Sequence, residues 1–202
     1  MTHLYLIRHG DYIEDLEHDK YQDLGLSSEG IRQTELLRDR LARTGEIKAD
    51  VLIASPMRRA KESAEILTPV LGTPIVFEKN FEEWLCEDGT LTPEEFSACW
   101  QQVPEEQKPF FRFMAGYETG LEFSGRVQAA LNRILQEYEG KTIVLVSHGG
   151  VIAVSFSYFF GLSAATPSRV SLGAKNTSIT HWFKPERAQR WVLERYNDYH
   201  HL

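Results

Sequence analysis

A three-layer α/β/α fold, with helices on both faces of a mostly parallel central sheet, is what this sequence predicts. Three observations predict it. Short runs rich in Val, Ile and Leu, such as LYLI, VLIA and IVLV, are each followed by a turn and then by helical periodicity. That is the pattern of buried strands in βα units. Strand and helix patterns alternate along most of the chain, which implies a parallel sheet covered on both faces. Three of the runs also end in a cationic or histidine-bearing turn: Arg8-His9-Gly10, Arg58-Arg59 and His148-Gly149-Gly150. Ligands bind outside the carboxyl ends of strands in such sheets. Arg8, His9, Arg58 and His148 are therefore expected to meet on one edge.

The elements follow in order. Residues 4–7 should form the first strand. Residues 11–23 are strongly acidic and read as an exposed loop. Ser27 or Ser28 can cap the next helix, with Ile31, Leu37 and Leu41 as its buried stripe. Residues 51–54 are the second strand. Pro56 stands near the start of the following helix, where a missing amide costs little. Ala60, Ala64, Leu67 and Leu71 share one face of that helix. A short strand at 75–77 precedes the least regular region, about 80–120, which holds Trp84, Trp100, Phe110, Phe111, Phe113 and three prolines. It reads as an insertion packed over the active edge as a partial lid. A helix over 119–138 should bury Phe123, Val127, Leu131, Ile134 and Tyr138. A strand at 143–147 and a helix at 149–161 come next. Two strands, 178–183 and 191–195, should close the chain around a turn near Pro185. Residues 1–202 read as one domain.

The net charge of −7 argues against binding to nucleic acid or an anionic membrane. An anionic substrate would then need a local cationic pocket, which arginines can supply. The two cysteines, Cys86 and Cys99, fit neither a zinc pattern nor a disulfide framework. With no signal-like amino terminus, they point to a cytoplasmic protein. The apolar stretch 151–162 contains serines and is too short to span a bilayer.

The residue types at the sheet edge suit phosphoryl chemistry. A neutral imidazole can attack phosphorus, dividing one hard displacement into two easier ones. His9, between Arg8 and Gly10, is the candidate nucleophile. Arg8 and Arg58 suit multidentate contact with phosphate oxygens, and Arg59 is read as an exposed helical arginine. His148 can donate to a phosphoryl oxygen. Gly149, at a helix amino terminus, allows close approach of an anion. The leaving group needs a proton, and Glu82 or Glu83, just after the short strand, can supply it.

These residues resemble the histidine phosphatase superfamily, the phosphoglycerate mutase-like family, over nearly the whole chain. Leu6-Ile7-Arg8-His9-Gly10 resembles its first-strand signature. Leu26-Ser27-Ser28-Glu29-Gly30-Ile31-Arg32-Gln33 resembles its L-[ST]-x-x-G-x-x-Q segment. Ser55-Pro56-Met57-Arg58-Arg59-Ala60 resembles S-x-x-x-R-A, from which Arg58 is taken as the phosphate-binding arginine. Glu118-Thr119, ahead of Arg126-Val127, resembles G-E-[ST]. Val146-Ser147-His148-Gly149-Gly150 resembles the second histidine motif, and Asn176-Thr177-Ser178 a late polar turn. Tyr12 and Asp15 stand where the family often has Thr or Ser and Asn, and no phosphate contact is assigned to Asp15.

The resemblance implies a phosphoglycerate mutase-like fold and a phosphohistidine at His9. It implies a phosphate pocket of Arg8, Arg58 and His148, with Glu83 as the acid and no metal or cofactor. The expected activity is that of a metal-independent, histidine acid phosphatase-type phosphomonoesterase. Its substrate would be a small phosphorylated metabolite or a phosphoprotein. The residues after Glu83 do not look like those of the glycolytic mutases, so mutase-type phosphoryl transfer ranks second.

Two further readings compete. One is a metal-dependent hydrolase using His9, Asp11, Asp15 and His18; the other is a non-catalytic protein that binds a phosphorylated ligand. The acidic stretch that includes Asp11, Glu14, Asp15, Glu17 and Asp19 would disfavour a highly anionic substrate if it lines the entrance. Exposed apolar residues of the insertion could serve a homodimer, lid closure or substrate contact.

Overall fold

A computed structural model of the chain describes residues 1–14, 23–86, 91, 93–166 and 170–202. Among these described residues, eight strands and five α-helices run in the order β1 (Thr2–Arg8), β2 (Tyr12–Glu14), β3 (Asp23–Leu26), α1 (Ser28–Thr44), β4 (Val51–Ala54), α2 (Arg58–Leu71), β5 (Ile75–Phe77), α3 (Pro93–Gln102), α4 (Gly120–Glu137), β6 (Thr142–Ser147), α5 (Gly149–Phe160), β7 (Ile179–Lys184) and β8 (Val192–Asp198). Six strands make the central sheet in the order β5-β4-β6-β1-β7-β8. β5, β4, β6 and β1 are mutually parallel, whereas β7 runs antiparallel to β1 and β8 antiparallel to β7. The predicted mostly parallel α/β/α sheet is what forms.

The period of two along the strands explains the layers. Leu4 and Leu6, with Ile143 and Leu145, bury one face against Val127, Leu131 and Ile134 of α4 and Val151 and Ile152 of α5. Tyr5 and Ile7, with Val144 and Val146, bury the other against Leu37 and Leu41 of α1 and Ala64 and Leu67 of α2. Both faces are covered, so the central strands read as continuous apolar runs.

Strand register then brings three carboxyl ends together. Arg8 pairs with Ser147, and Ala54 with Val146. Beyond the paired residues, His9 N donates to Ser147 O at 2.9 Å, and Ser55 N to Val146 O at 3.0 Å. The middle strand of this trio is β6, so His148 emerges between the chain leaving β1 and the chain leaving β4.

Two sequence expectations change here. Ile31 is 43% exposed, and the buried stripe of α1 is Gly30, Thr34, Leu37 and Leu41. The first turn of α1 lies against the backbone leaving β1, which leaves no room for a side chain. A Cβ at Gly30 would come within 1.8 Å of Asp11 O, and one at Gly10 within 2.5 Å of Gly30 O. Residues 11–23 are also not wholly loop: Tyr12–Glu14 pairs antiparallel with Asp23–Leu26 as a separate two-stranded ribbon. The rest of that acidic stretch, including Asp15, Glu17, His18 and Asp19, lies outside the described residues.

The irregular region carries α3 and a 3-10 segment, Glu105–Phe110. Trp84, Phe96, Trp100, Phe111 and Phe113 pack there ring on ring, with centroids between 4.4 and 6.4 Å. Among the described residues no helix is long and apolar enough to cross a membrane.

Candidate active site

His9 follows β1 directly and is 2% exposed. Its Nδ1 lies 2.6 Å from Gly10 O. A carbonyl accepts only, so Nδ1 carries the proton. Its Nε2 accepts from Arg59 Nε at 3.1 Å. Both contacts select one tautomer, with the lone pair on Nε2. Burial first, then the Arg59 and Arg8 guanidinium groups, lower the His9 pKa to about 3 despite the opposing hydrogen bond to Gly10. The ring is thus neutral at any physiological pH.

The arginine beside His9 is Arg59, not Arg58. The Arg59 side chain is 3% exposed, whereas that of Arg58 is 59% exposed and pairs with Glu62 one turn on. α2 starts at Arg58, so consecutive residues there differ by about 100° in direction. Arg59 falls beside Ala60, Ser63 and Ala64 on the buried face. Counted from Ser55, the arginine of S-x-x-x-R-A is also Arg59. The sequence reading of Arg58 is corrected accordingly.

Arg59 is held from outside its own helix. Asp23 Oδ2 lies 3.2 Å from Arg59 Nη1, and the same carboxylate accepts from Arg59 N. α2 has no side-chain cap of its own at Met57, so Asp23 caps it while pairing with its buried cation. The Tyr12 ring lies 4.4 Å beneath the Arg59 guanidinium and meets His9 edge-on, with centroids 5.3 Å apart. Residues 11–23 thus contribute to the site from both strands of the ribbon, through Tyr12 and Asp23. Sequence reading missed Asp23 because an acidic run reads as solvated.

Arg8 donates through Nη1 to Ala174 O at 2.6 Å. Its buried Nε has no hydrogen-bond partner among the described residues. His148 is fully buried, and its ring centroid is 5.1 Å from that of His9. Its Nε2 lies 2.8 Å from Ser55 Oγ, and its buried Nδ1 has no partner among the described residues. Ser55 Oγ already accepts from Met57 N. In the tautomer whose Nε2 accepts the Ser55 proton, His148 Nδ1 is a donor. Burial first, then His9, Arg59 and Arg8, lower the His148 pKa well below its ordinary value.

Gly149 opens α5 beside the Arg8 guanidinium; a Cβ there would lie 3.8 Å from Arg8 Nε. The helix amino terminus, Arg8 and Arg59 together make the local positive field that the acidic whole lacks. The carboxylate of Glu83 reaches that same terminus. Its Oε2 accepts from Gly150 N at 3.0 Å and its Oε1 from Trp84 N at 2.9 Å. A Cβ at Gly150 would come within 2.1 Å of Glu83 Oε1, so the second glycine makes room for the carboxylate. The late polar turn also reaches the site, because Asn176 Nδ2 donates to His9 O at 3.0 Å. The motif segment around Gln33 does likewise, with Gln33 Oε1 accepting from Asp11 N at 2.9 Å.

The family profile described as "Histidine phosphatase superfamily (branch 1)" matches residues 4–199. The chain belongs to the histidine phosphatase superfamily. Among curated members, a probable phosphoglycerate mutase GpmB from Proteus mirabilis is 28% identical, over all of this chain and 95% of the relative. An uncharacterized phosphatase PhoE from Bacillus subtilis is also 28% identical, over all of this chain and 97% of the relative. Solved structures share the fold. A mycobacterial glucosyl-3-phosphoglycerate phosphatase superposes with a TM-score of 0.76 at 21% identity, over 97% of this chain and 98% of its own. A phosphoserine phosphatase from Entamoeba histolytica gives 0.75 at 22% identity, over the whole of both chains.

Two outcomes are expected of this site. Arg59→Ala should lower kcat/KM for p-nitrophenyl phosphate about 10²-fold or more, the scale of losing a donor to transition-state charge. Arg58→Ala should stay within about 3-fold of wild type, as for an exposed pair; equal losses would contradict the assignment. The second outcome concerns pH. Unfolded His9 takes a proton near its ordinary 6.5, and folded His9 only near 3. The unfolded state binds more protons between these values, so stability is full above about 6.5 and falls as pH drops through the window. From pH 7 to about pH 5 the His9 share of that loss is on the order of 2 kcal/mol. Urea unfolding of His9→Gln should show a correspondingly shallower dependence; an unchanged slope would contradict the buried, neutral imidazole.

Proposed function

We propose that this member of the superfamily is a metal-independent phosphomonoesterase working through a phosphohistidine on His9. One observation carries the reading. His9 holds its Nδ1 proton on its own chain's carbonyl, which leaves the Nε2 lone pair for attack. Around it stand Arg59 Nε and two buried nitrogens without a hydrogen-bond partner among the described residues, Arg8 Nε and His148 Nδ1, which donates in the tautomer this reading uses. Three donors around a nucleophilic nitrogen suit the three equatorial oxygens of a phosphoryl group.

In the first step Nε2 attacks phosphorus and the P–O ester bond breaks. Glu83, as the carboxylic acid, gives its proton to the departing oxygen, so an alcohol leaves and a carboxylate remains. In the second step that carboxylate takes a proton from water as its oxygen attacks phosphorus. The P–N bond breaks, inorganic phosphate leaves, and His9 and Glu83 return to their starting states. Arg59 Nε, which meets the Nε2 lone pair in the free protein, turns its donation to a phosphoryl oxygen when substrate binds. A divalent cation at Nε2 would instead sit beside two guanidinium groups, which disfavours the metal-dependent alternative. Of that alternative's ligands, Asp15 and His18 fall outside the described residues.

The substrate class in this reading is a small phosphorylated metabolite or a phosphoprotein, handled in the cytoplasm, with the region about 80–120 closing over the site as a partial lid. The relatives, which include both phosphatases and probable mutases, agree with phosphoryl transfer as the common chemistry. The test is phosphate release from p-nitrophenyl phosphate with a chelator present, in wild type and in His9→Ala. Turnover that resists the chelator and vanishes in the variant is expected. Turnover that the chelator abolishes and a divalent metal restores would overturn the proposal.

A further inference from the structure

The Glu118-Thr119 segment and Arg126 have no part in the chemistry above, yet they surround the residue that does. We propose that Arg126 and Glu118 form a clamp that positions the carboxyl group of Glu83 for proton transfer to the leaving group. The inference rests on Glu83 being the acid of the proposed reaction.

The clamp is defined by its hydrogen bonds. Arg126 donates through Nη1 to Asn80 O and Glu82 O, both at 2.9 Å, and through Nη2 to Glu83 O at 3.0 Å. Its Nε and Nη2 also donate to Glu118 Oε2 at 2.8 Å and Oε1 at 2.6 Å. A guanidinium has five N–H donors, and all five are engaged. Arg126 is therefore not a spare phosphate ligand. It ties three carbonyls of the 80–83 segment to one rigid plane.

Glu118 fastens the other side of the segment. Its Oε1 accepts from Leu85 N at 3.3 Å, its backbone N donates to Leu85 O at 3.2 Å, and its carbonyl accepts from Trp84 Nε1 at 3.0 Å. The frame behind the clamp is fixed too. Thr119 caps α4 through a reciprocal capping box with Glu122, and Arg126 stands seven residues further on, two turns along the same face. The backbone of Glu83 is thus held by α4 while its carboxylate is held by Gly150 N of α5. Both ends must be fixed for a carboxyl group to sit within hydrogen-bond reach of a departing oxygen.

A purely structural role would slow every substrate alike, so the test compares leaving groups. p-Nitrophenolate departs without help, whereas the alkoxide from benzyl phosphate needs a proton as the P–O bond breaks. The value of kcat/KM reports formation of the phosphohistidine, so the later role of Glu83 as base does not enter. The measured quantity is the ratio of kcat/KM for benzyl phosphate to that for p-nitrophenyl phosphate. In Arg126→Ala the ratio is expected to fall about 30-fold, less than the ~10²–10⁴-fold of positioned acid catalysis because the acid is displaced rather than removed, and Glu83→Gln should lower it in the same sense. Arg126→Lys keeps the charge but supplies three donors. Should the alanine variant fail to fold, the lysine variant is expected to lower the ratio about 5-fold.

A lowered ratio in Glu83→Gln with an unchanged ratio in the Arg126 variants would overturn the clamp alone. An unchanged ratio in both would remove Glu83 as the acid, and the clamp with it. Wild-type protein inactive on both esters would overturn the phosphatase reading and this inference together.

Discussion

A cation buried against the imidazole it must keep neutral is the constraint on which the rest of the site depends. Arg59 contacts His9 Nε2 with almost no water around either group. A buried guanidinium is costly unless paired and hydrogen-bonded. Asp23 supplies the pairing, and Tyr12 offers a ring face beneath the charge. The outcome is a histidine that stays unprotonated beside a group ready to bind an anion. A solvated histidine would be partly protonated near neutral pH and a poorer nucleophile.

Meeting that constraint shapes elements far from the reaction. The ribbon of β2 and β3 exists beside the main sheet because Asp23 must reach α2 and Tyr12 must reach Arg59. The backbone leaving β1 at Gly10 and Asp11 crosses the first turn of α1 so closely that Gly10 and Gly30 both face main-chain oxygen where a Cβ would be. Leu26 N and Arg58 both bond to Glu62, which seats the ribbon on α2. The sheet order matters for the same reason. With β6 between β4 and β1, the second histidine emerges beside the first, and Ser55 from the neighbouring strand end hydrogen-bonds its Nε2.

Much of this is legible in the sequence. Strands buried on both faces announce themselves as apolar runs, and β1, β4 and β6 fall where those runs are. Arg8, His9 and His148 converge as their strand-end placement predicts. The choice between Arg58 and Arg59 went astray although a signal was present. Arg58 and Glu62 are opposite charges four apart, the mark of a solvated helix face, while Arg59 aligns with Ser63 beside the Ala60 and Ala64 stripe. Asp23 was less accessible, because an acidic run carries no periodicity to show that one carboxylate turns inward. Ile31 failed for a related reason. The stripe of α1 begins at Gly30, whose burial reflects close backbone approach rather than hydrophobicity. The clamp on Glu83 needed the fold itself, since Arg126 meets carbonyls more than forty positions away.

The central claim is that His9 attacks through Nε2, with Nδ1 held by the Gly10 carbonyl. Rapid alkaline quenching of turnover, followed by phosphorus NMR and peptide mapping, tests it most directly. The account predicts an acid-labile phosphoryl group on His9, bonded to Nε2. Phosphate on Nδ1, on another residue, or on none during active turnover would contradict it.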